Sequence, residues 1–158
     1  MTGLILFFSL AIGISFLCSI MEAVLLSVTH SYIAVLEKEE KGCAKHLRKI
    51  KEKIDHPLSA ILTLNTIANT VGAAGVGAQT LKVFGNQWVA LASGILTLCI
   101  LVFSEIIPKT IGASYWRKLA PVSAYIIKGL IFITYPIVIS FEGLSHIISP
   151  KGKRVKIT

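Results

Sequence analysis

Two carboxylates, Glu22 and Glu105, sit inside stretches of sequence that otherwise carry almost no charge. Residues 1–36 hold only Glu22, and residues 57–108 hold only Lys82 and Glu105. An ionisable group in apolar surroundings is costly unless a partner or a cation neutralises it, so each marks a candidate site. Hydroxyls and amides accompany them at helical spacing: Ser15, Ser19 and Glu22 fall at i, i+4 and i+7 on one helix face, and Asn65 and Asn69 at i, i+4 on another. In the run Ser104-Glu105-Ile106-Ile107-Pro108-Lys109, Pro108 has no N–H, and its ring crowds the carbonyl four residues earlier, that of Ser104. A released carbonyl then lies beside the Glu105 carboxylate. Carboxylate, amide, hydroxyl and carbonyl oxygens suit hard cations such as Mg²⁺ and Ca²⁺, whereas soft-metal chemistry calls for Cys or His. Ligand type does not separate those two cations, because cavity size and rigidity do.

The elements that must position these groups follow from charge placement. The chain has 158 residues, 54% hydrophobic and only 15% charged, with a mean hydropathy of +0.75. Soluble domains carry about 25% charged residues, so an ordinary globular enzyme is excluded. Half of the 24 charged residues lie between Glu37 and Asp55. Apolar stretches at about residues 3–28, 58–81 and 88–107 are each long enough to cross a bilayer, which needs about 20 residues. A helical linker at residues 31–55 joins the first two, and Asp55-His56-Pro57 reads as a helix start. Phe84-Gly85-Asn86, within residues 82–87, reads as a tight turn. The N-terminal stretch has no basic residue before Lys38 and no small-x-small cleavage site, so it is expected to stay on the protein.

A fourth apolar stretch, residues 122–148, follows the basic residues Lys109, Arg117 and Lys118. If it crossed, ten basic residues would face five across the membrane; if it does not, fourteen face one, with Lys128 set aside. The positive-inside rule favours the second arrangement, and Lys128, Pro136 and Glu142 within the stretch agree. The fold class read here is an all-α integral membrane domain of three transmembrane helices plus a bent juxtamembrane helical segment. The protein is expected to be multi-pass in the cell membrane, N-terminus outside and C-terminus cytoplasmic. A fourth kinked span is the alternative.

Counted at 1.5 Å per residue from the outer side, Ser19 lies roughly 24 Å deep, Glu22 roughly 28 Å and Glu105 roughly 26 Å. Counted from the inner side, Asn65 and Asn69 lie roughly 10 and 16 Å up. All three spans thus bring oxygens to the inner half of the bilayer. Simpler readings stand beside this one: Glu22 solvated at the interface, either Asn bonding a neighbouring helix, and Pro108 merely marking the membrane exit. Pairs such as Ala73/Gly77 in the run from Gly72 to Ala78 suit close helix approach, within the chain or across a homodimer. Cys18 and Cys99 read as small hydrophobes and Cys43 stands alone in the linker, so none suggests a metal site. His30, His46, His56 and His146 read as surface residues at the membrane edges.

Ser19-x-x-Glu22, the charged linker, Asn65-x-x-x-Asn69 and above all Ser104-Glu105-Ile106-Ile107-Pro108-Lys109-Thr110 together resemble the transmembrane domain of the CNNM/CorC/CorB magnesium transporters. The last stretch is similar to the family's Gly-Glu-x-x-Pro-Lys signature, with Ser104 where Gly is common; Ile20 stands where many relatives have Gly. The likeness runs from about residue 4 to 150. It implies a Mg²⁺ site in a cavity open to the cytoplasm, formed by Glu105, Ser19 and one or both of Asn65 and Asn69. Glu22 and Ser104 are further candidate ligands, and Pro108 and Lys109 candidate structural or gating residues. It also implies a homodimer that exports Mg²⁺, with Na⁺ as the proposed coupling ion. A basic tail at residues 151–158 would lead to a cytoplasmic CBS module that this sequence does not contain, as expected of a piece of a longer protein.

The leading alternative is a non-transporting Mg²⁺-sensing scaffold that dimerises and anchors cytoplasmic regulatory domains. An intramembrane enzyme is disfavoured, since neither His-Glu-x-x-His nor Gly-x-Ser-x-Gly occurs and Asp55 is the only aspartate. The net charge of +8 points to the lipid bilayer and not to nucleic acid, because the basic residues flank apolar segments without an aromatic-rich basic face.

Overall fold

A backbone in an apolar medium must bond its own N–H and C=O groups, which leaves an apolar, uncharged sequence little choice but helix. The computed structural model describes residues 1–148, with Phe141, Glu142, Ser145 and His146 described by backbone alone. The basic tail at residues 151–158 and the side chains of Glu142 and His146 therefore lie outside the described residues. Among the described residues six α-helices follow in order: α1 Thr2–Ser27, α2 His30–Lys38, α3 Cys43–Glu52, α4 Asp55–Phe84, α5 Val89–Cys99 and α6 Ile107–Ile148. A 3₁₀ turn, Asn86–Trp88, precedes α5, and a π-helical stretch, Ile100–Ile106, joins α5 to α6. Among the described residues there is no strand. Three helical segments are long and apolar enough to cross a membrane: Thr2–Ser27, Asp55–Phe84 and Asn86–Ser140.

α1 and α4 run antiparallel with backbones in close approach. A Cβ on Gly72 would collide with the Ala11 side chain, and one on Gly75 with the Phe7 ring, so these glycines of the small-residue run serve packing within the chain. Ala73 is exposed, and a Cβ on Gly77 would meet nothing within 4 Å, so that pair faces away from the chain's own helices. α4 ends at Gly85, whose φ of +90° is open to glycine but strained for other residues.

The other end of the bundle is ringed by a collar of α2, α3 and part of α6. Thr29 Oγ1 caps α2 by accepting from the Tyr32 N–H at 3.2 Å. In α3, Cys43, Ala44, Leu47 and Ile50 are buried, while Lys45, Arg48, Lys49 and Glu52 are exposed. This is the spacing of an amphipathic helix with one face on a core. That core joins Leu47 to Ile33 and Leu36 of α2, Val24 of α1, Val28 just after it, and Ala124 of α6. Each fully buried aliphatic side chain contributes about 1.5–3 kcal/mol where the alternative is water. Lys51 Nζ donates to the Leu25 carbonyl at 3.0 Å, placing a cation on the last turn of α1, and burial holds its pKa below the usual lysine value. His46, expected at the surface, is half-buried and packs edge-on against Tyr125, with ring centroids 5.3 Å apart.

The third rod bends between the two segments that the sequence separates. The sequence suggests a span ending near residue 107 and a separate segment at 122–148 broken by Pro136. Helix α6 is kinked at Tyr115 (φ −111°, ψ 19°), which sets the end of the third rod apart from the segment that holds residues 122–148; Pro136, expected to break that segment, lies within helix, as does Pro121. A proline removes one hydrogen bond and displaces one carbonyl, which a helix tolerates when another donor serves that carbonyl. At Pro121 the donor is identifiable: the orphaned carbonyl is that of Arg117, and Tyr32 Oη donates to it at 2.7 Å.

Candidate functional site

The polar groups of the three rods meet along one side of α1. Ser15, wholly buried, donates from Oγ to Asn65 Oδ1 at 2.6 Å, tying α1 to α4. Ser104, also wholly buried, donates to the Ile12 carbonyl at 3.3 Å, tying the π-helical stretch to α1. Farther along, Gly112 lies so near α1 that a Cβ there would stand 2.9 Å from the Ile20 carbonyl oxygen. The third rod therefore runs parallel to α1, with Ser104 beside Ile12 and Gly112 beside Ile20.

These registers assign a level to every candidate. With Gly72 against Ala11 and Asn65 against Ser15, Asn69 falls near Ile12 and Gly13, the level of Ser104 and Glu105. Asn65, Ser15 and Pro108 lie about one turn nearer the collar. Ser19 lies roughly 9 Å from the Glu105 level, at 1.5 Å per residue. Glu22 is farther still, roughly 13 Å away by the same rise. The similar depths expected for Ser19, Glu22 and Glu105 thus spread apart, because α5 starts beyond the first residue of α1 and the two helices cannot be counted from one plane.

Glu22, expected among the cation ligands, is engaged elsewhere: its Oε2 lies 3.2 Å from Lys109 Nζ, in an ion pair between α1 and the start of α6. The carboxylate is only 17% exposed and the ammonium 46%, so the pair sits at the rim of the buried region. This gives Lys109 a structural part and removes Glu22 from the group around Glu105. The Glu105 side chain is half-buried and has neither ion pair nor hydrogen bond among the described residues. Ser19 Oγ and Asn69 Oδ1 are buried without a hydrogen-bond partner. Ser123 Oγ of α6 is a third such atom, and of the three only Asn69 Oδ1 shares the level of the Glu105 carboxylate.

Backbone geometry contributes as well. In the π-helical stretch Ile100–Ile106 the Ile107 N–H reaches back to the Val102 carbonyl, a wider turn than an α-helix makes. This re-aims Ser104 and Glu105 just before Pro108, which is fully buried. The proline alone suggests a local carbonyl release; the seven-residue widening has no sequence signature beyond it. In the sequence Ser15 is legible only as a member of the Ser19 face. Its bond to Asn65 brings it into the group.

Comparison with known proteins agrees with this architecture. Residues 4–157 match the model of the Cyclin M transmembrane N-terminal domain, CNNM. A UPF0053 protein of Synechocystis sp. is 37% identical over 142 residues, 90% of this chain and 41% of the relative. A UPF0053 protein of Haemophilus influenzae is 37% identical over 117 residues, 74% of this chain and 28% of the relative. The UPF0053 inner membrane protein YfjD of Escherichia coli is 30% identical over 113 residues, 72% of this chain and 26% of the relative. The chain thus spans less than half the length of these relatives. Three apolar membrane-length helices, the Ser104–Thr110 signature and a match over nearly the whole chain make this a multi-pass membrane protein that belongs to the CNNM/CorC family.

Proposed function

We propose that this domain binds Mg²⁺ in a largely dehydrated site centred on Glu105 and carries it out of the cytoplasm, with Na⁺ as the coupling ion. Asn69 and Ser104 share the Glu105 level, Asn65 and Ser15 lie one turn toward the collar, and Ser19 marks the way between the site and that end. The observation that carries this reading is the unpaired Glu105 carboxylate at the level of Asn69 Oδ1, which is buried and partnerless. Mg²⁺ takes near-octahedral oxygen at about 2.0–2.1 Å and loses water reluctantly, so fixed oxygens on three helices suit it as substrate. The Ser15–Asn65 hydrogen bond opens to release two of those oxygens when the ion arrives.

In this reading the collar is cytoplasmic, following the positive charge of α3 and the start of α6, and the N-terminus is outside. The ion pair of Glu22 and Lys109 closes the rim beside the site and parts when α1 moves along the third rod. Two copies pair through the face carrying Ala73 and Gly77, which no helix of the same chain covers. The full-length protein adds the CBS module.

The test is calorimetric titration of Mg²⁺ into the detergent-purified chain and its Glu105→Ala variant, with Na⁺ and Ca²⁺ as competitors, followed by Mg²⁺ flux in proteoliposomes. Saturable binding that is lost in the variant and weakened by Na⁺, together with flux, is the expected result. Binding without flux would favour the scaffold reading, and flux unchanged in Glu105→Ala would overturn the site.

A further inference from the structure

Beneath the collar, α3, the start of α4 and the middle of α6 border an open recess of about 320 Å³ that is separate from the Glu105 group. Lys49 and Lys53 of α3 and Lys128 of α6 line it, together with His46 and His56. None of the three lysines has an ion pair among the described residues, and the nearest acidic residues in sequence, Glu52 and Asp55, are exposed and do not line the recess. Like charges drawn from two helices into one recess repel unless an anion joins them. Lys128 is unexpected within the apolar stretch 122–148, where a charge costs free energy unless the fold puts it to use.

The remaining walls identify the class of anion. Ile50, Pro57 and Ile131 make up the apolar side of the same recess. One turn farther along α6 from Ile131, Tyr135 is 50% exposed and continues that apolar side. Just beside it on α6, Phe132 and Ile133 are 82% and 68% exposed, as expected of side chains that face acyl chains. A soluble anion would use the lysines and leave this apolar side idle, whereas a phospholipid uses both.

We propose that this recess binds an acidic phospholipid, with its phosphodiester headgroup between Lys49, Lys53 and Lys128 and an acyl chain along Ile131 and Tyr135. Basic recesses between helices at the membrane surface are suited to such headgroups. The bound lipid bridges α3, α4 and α6 and so fixes the collar to the spans. The inference does not rest on the cation site, and either can fail without the other.

Native mass spectrometry of the purified chain, released from nanodiscs of phosphatidylcholine with phosphatidylglycerol, tests it. One phosphatidylglycerol is expected to stay on each chain in preference to phosphatidylcholine. Lys53→Gln and Lys128→Gln are each expected to weaken retention about fivefold, Lys128→Arg to restore it, and Lys45→Gln, an exposed collar change outside the recess, to leave it unaltered. Circular dichroism of each variant checks that the helices remain. Equal loss in Lys45→Gln would overturn the proposal in favour of diffuse surface charge. Displacement of the lipid by millimolar inorganic phosphate, with the same sensitivity to Lys53→Gln and Lys128→Gln, would overturn it in favour of a soluble anion.

Discussion

At the collar end, Ile33, Leu36 and Leu47 are at most 4% exposed, whereas near the Gly85 turn Leu6, Leu91 and Leu98 are each more than half exposed. The residues are similar in kind and the helices continuous, yet the two ends are held together differently. α2 and α3 meet water on one face, so burying the other draws on the hydrophobic effect, as in a soluble domain. In the spans a leucine moved from lipid onto a helix gains little, because lipid tails are as apolar as leucine. Association there comes from backbone approach at Gly72 and Gly75 and from the few polar links, Ser15 to Asn65 and Ser104 to Ile12. The collar therefore supplies stability, while the span interior is left with polar groups free to act.

The largest effect that probes this contrast comes from truncation. Ile33→Ala, at a site 1% exposed, is expected to cost about 2–5 kcal/mol, while Ile95→Ala, at a site 52% exposed near the turn, is expected to change stability by a few tenths at most. Chemical unfolding in mixed micelles, followed by circular dichroism, measures both. Equal losses would mean that the two ends are held by the same force. Next in size is Gly112→Ala, whose new methyl would stand 2.9 Å from the Ile20 carbonyl oxygen, a backbone atom that cannot swing aside. A cost of about 1–3 kcal/mol is expected, and Gly77→Ala, with open space around it, serves as the matched control for stability within one chain.

How far sequence leads differs in the same way between the two regions. Long uncharged runs mark the spans, so α1 at Thr2–Ser27 follows the expected 3–28 closely, and α4 begins at Asp55, where Asp55-His56-Pro57 signals a start. Charge and proline composition locate residues 122–148 and their separation from the third span, but not the helical course through Pro121, which draws on Tyr32, 89 positions earlier, reaching the Arg117 carbonyl. Glu105, Asn69 and Ser104 are legible as an oxygen-rich group because each is a polar exception in an apolar run. Glu22 is an exception of the same kind, and only the relative shift of α1 against the third rod separates it from them and hands it to Lys109.

That long-range bond yields a smaller prediction. Tyr32→Phe removes the hydroxyl that serves the Arg117 carbonyl but keeps the ring, which stacks edge-on to Trp116 at 5.1 Å. A loss of about 1 kcal/mol is expected, since the carbonyl lies in an exposed contact where water replaces part of the bond. Faster amide exchange at residues around 117–121, with the collar core otherwise intact, would place the effect at Pro121. A loss as large as that of Ile33→Ala would mean that this bond, and not apolar burial, holds the collar to α6.

The smallest effect belongs to the charged outer face of the collar, where Arg48 grips Glu37 through both Nε and Nη2 and so links α3 to α2. The Arg48 hydrogen bond, aided by its charge and against a smaller opposing effect of desolvation, holds the Glu37 carboxyl below the usual glutamate value. A carboxylate with a lowered folded pKa stabilises the fold above its unfolded value, about 4.3, and that contribution disappears as pH falls through the folded value. Both partners are exposed to solvent and screened by salt, so Glu37→Gln is expected to lower the melting temperature slightly at pH 7 and not at all at the acid end of a pH 3–7 series. Salt at 0.5 M should abolish the neutral-pH difference too. A difference that persists in acid or in salt would instead mean that the link between α2 and α3 depends on the paired hydrogen-bond geometry of the Glu37 carboxyl and not on its charge.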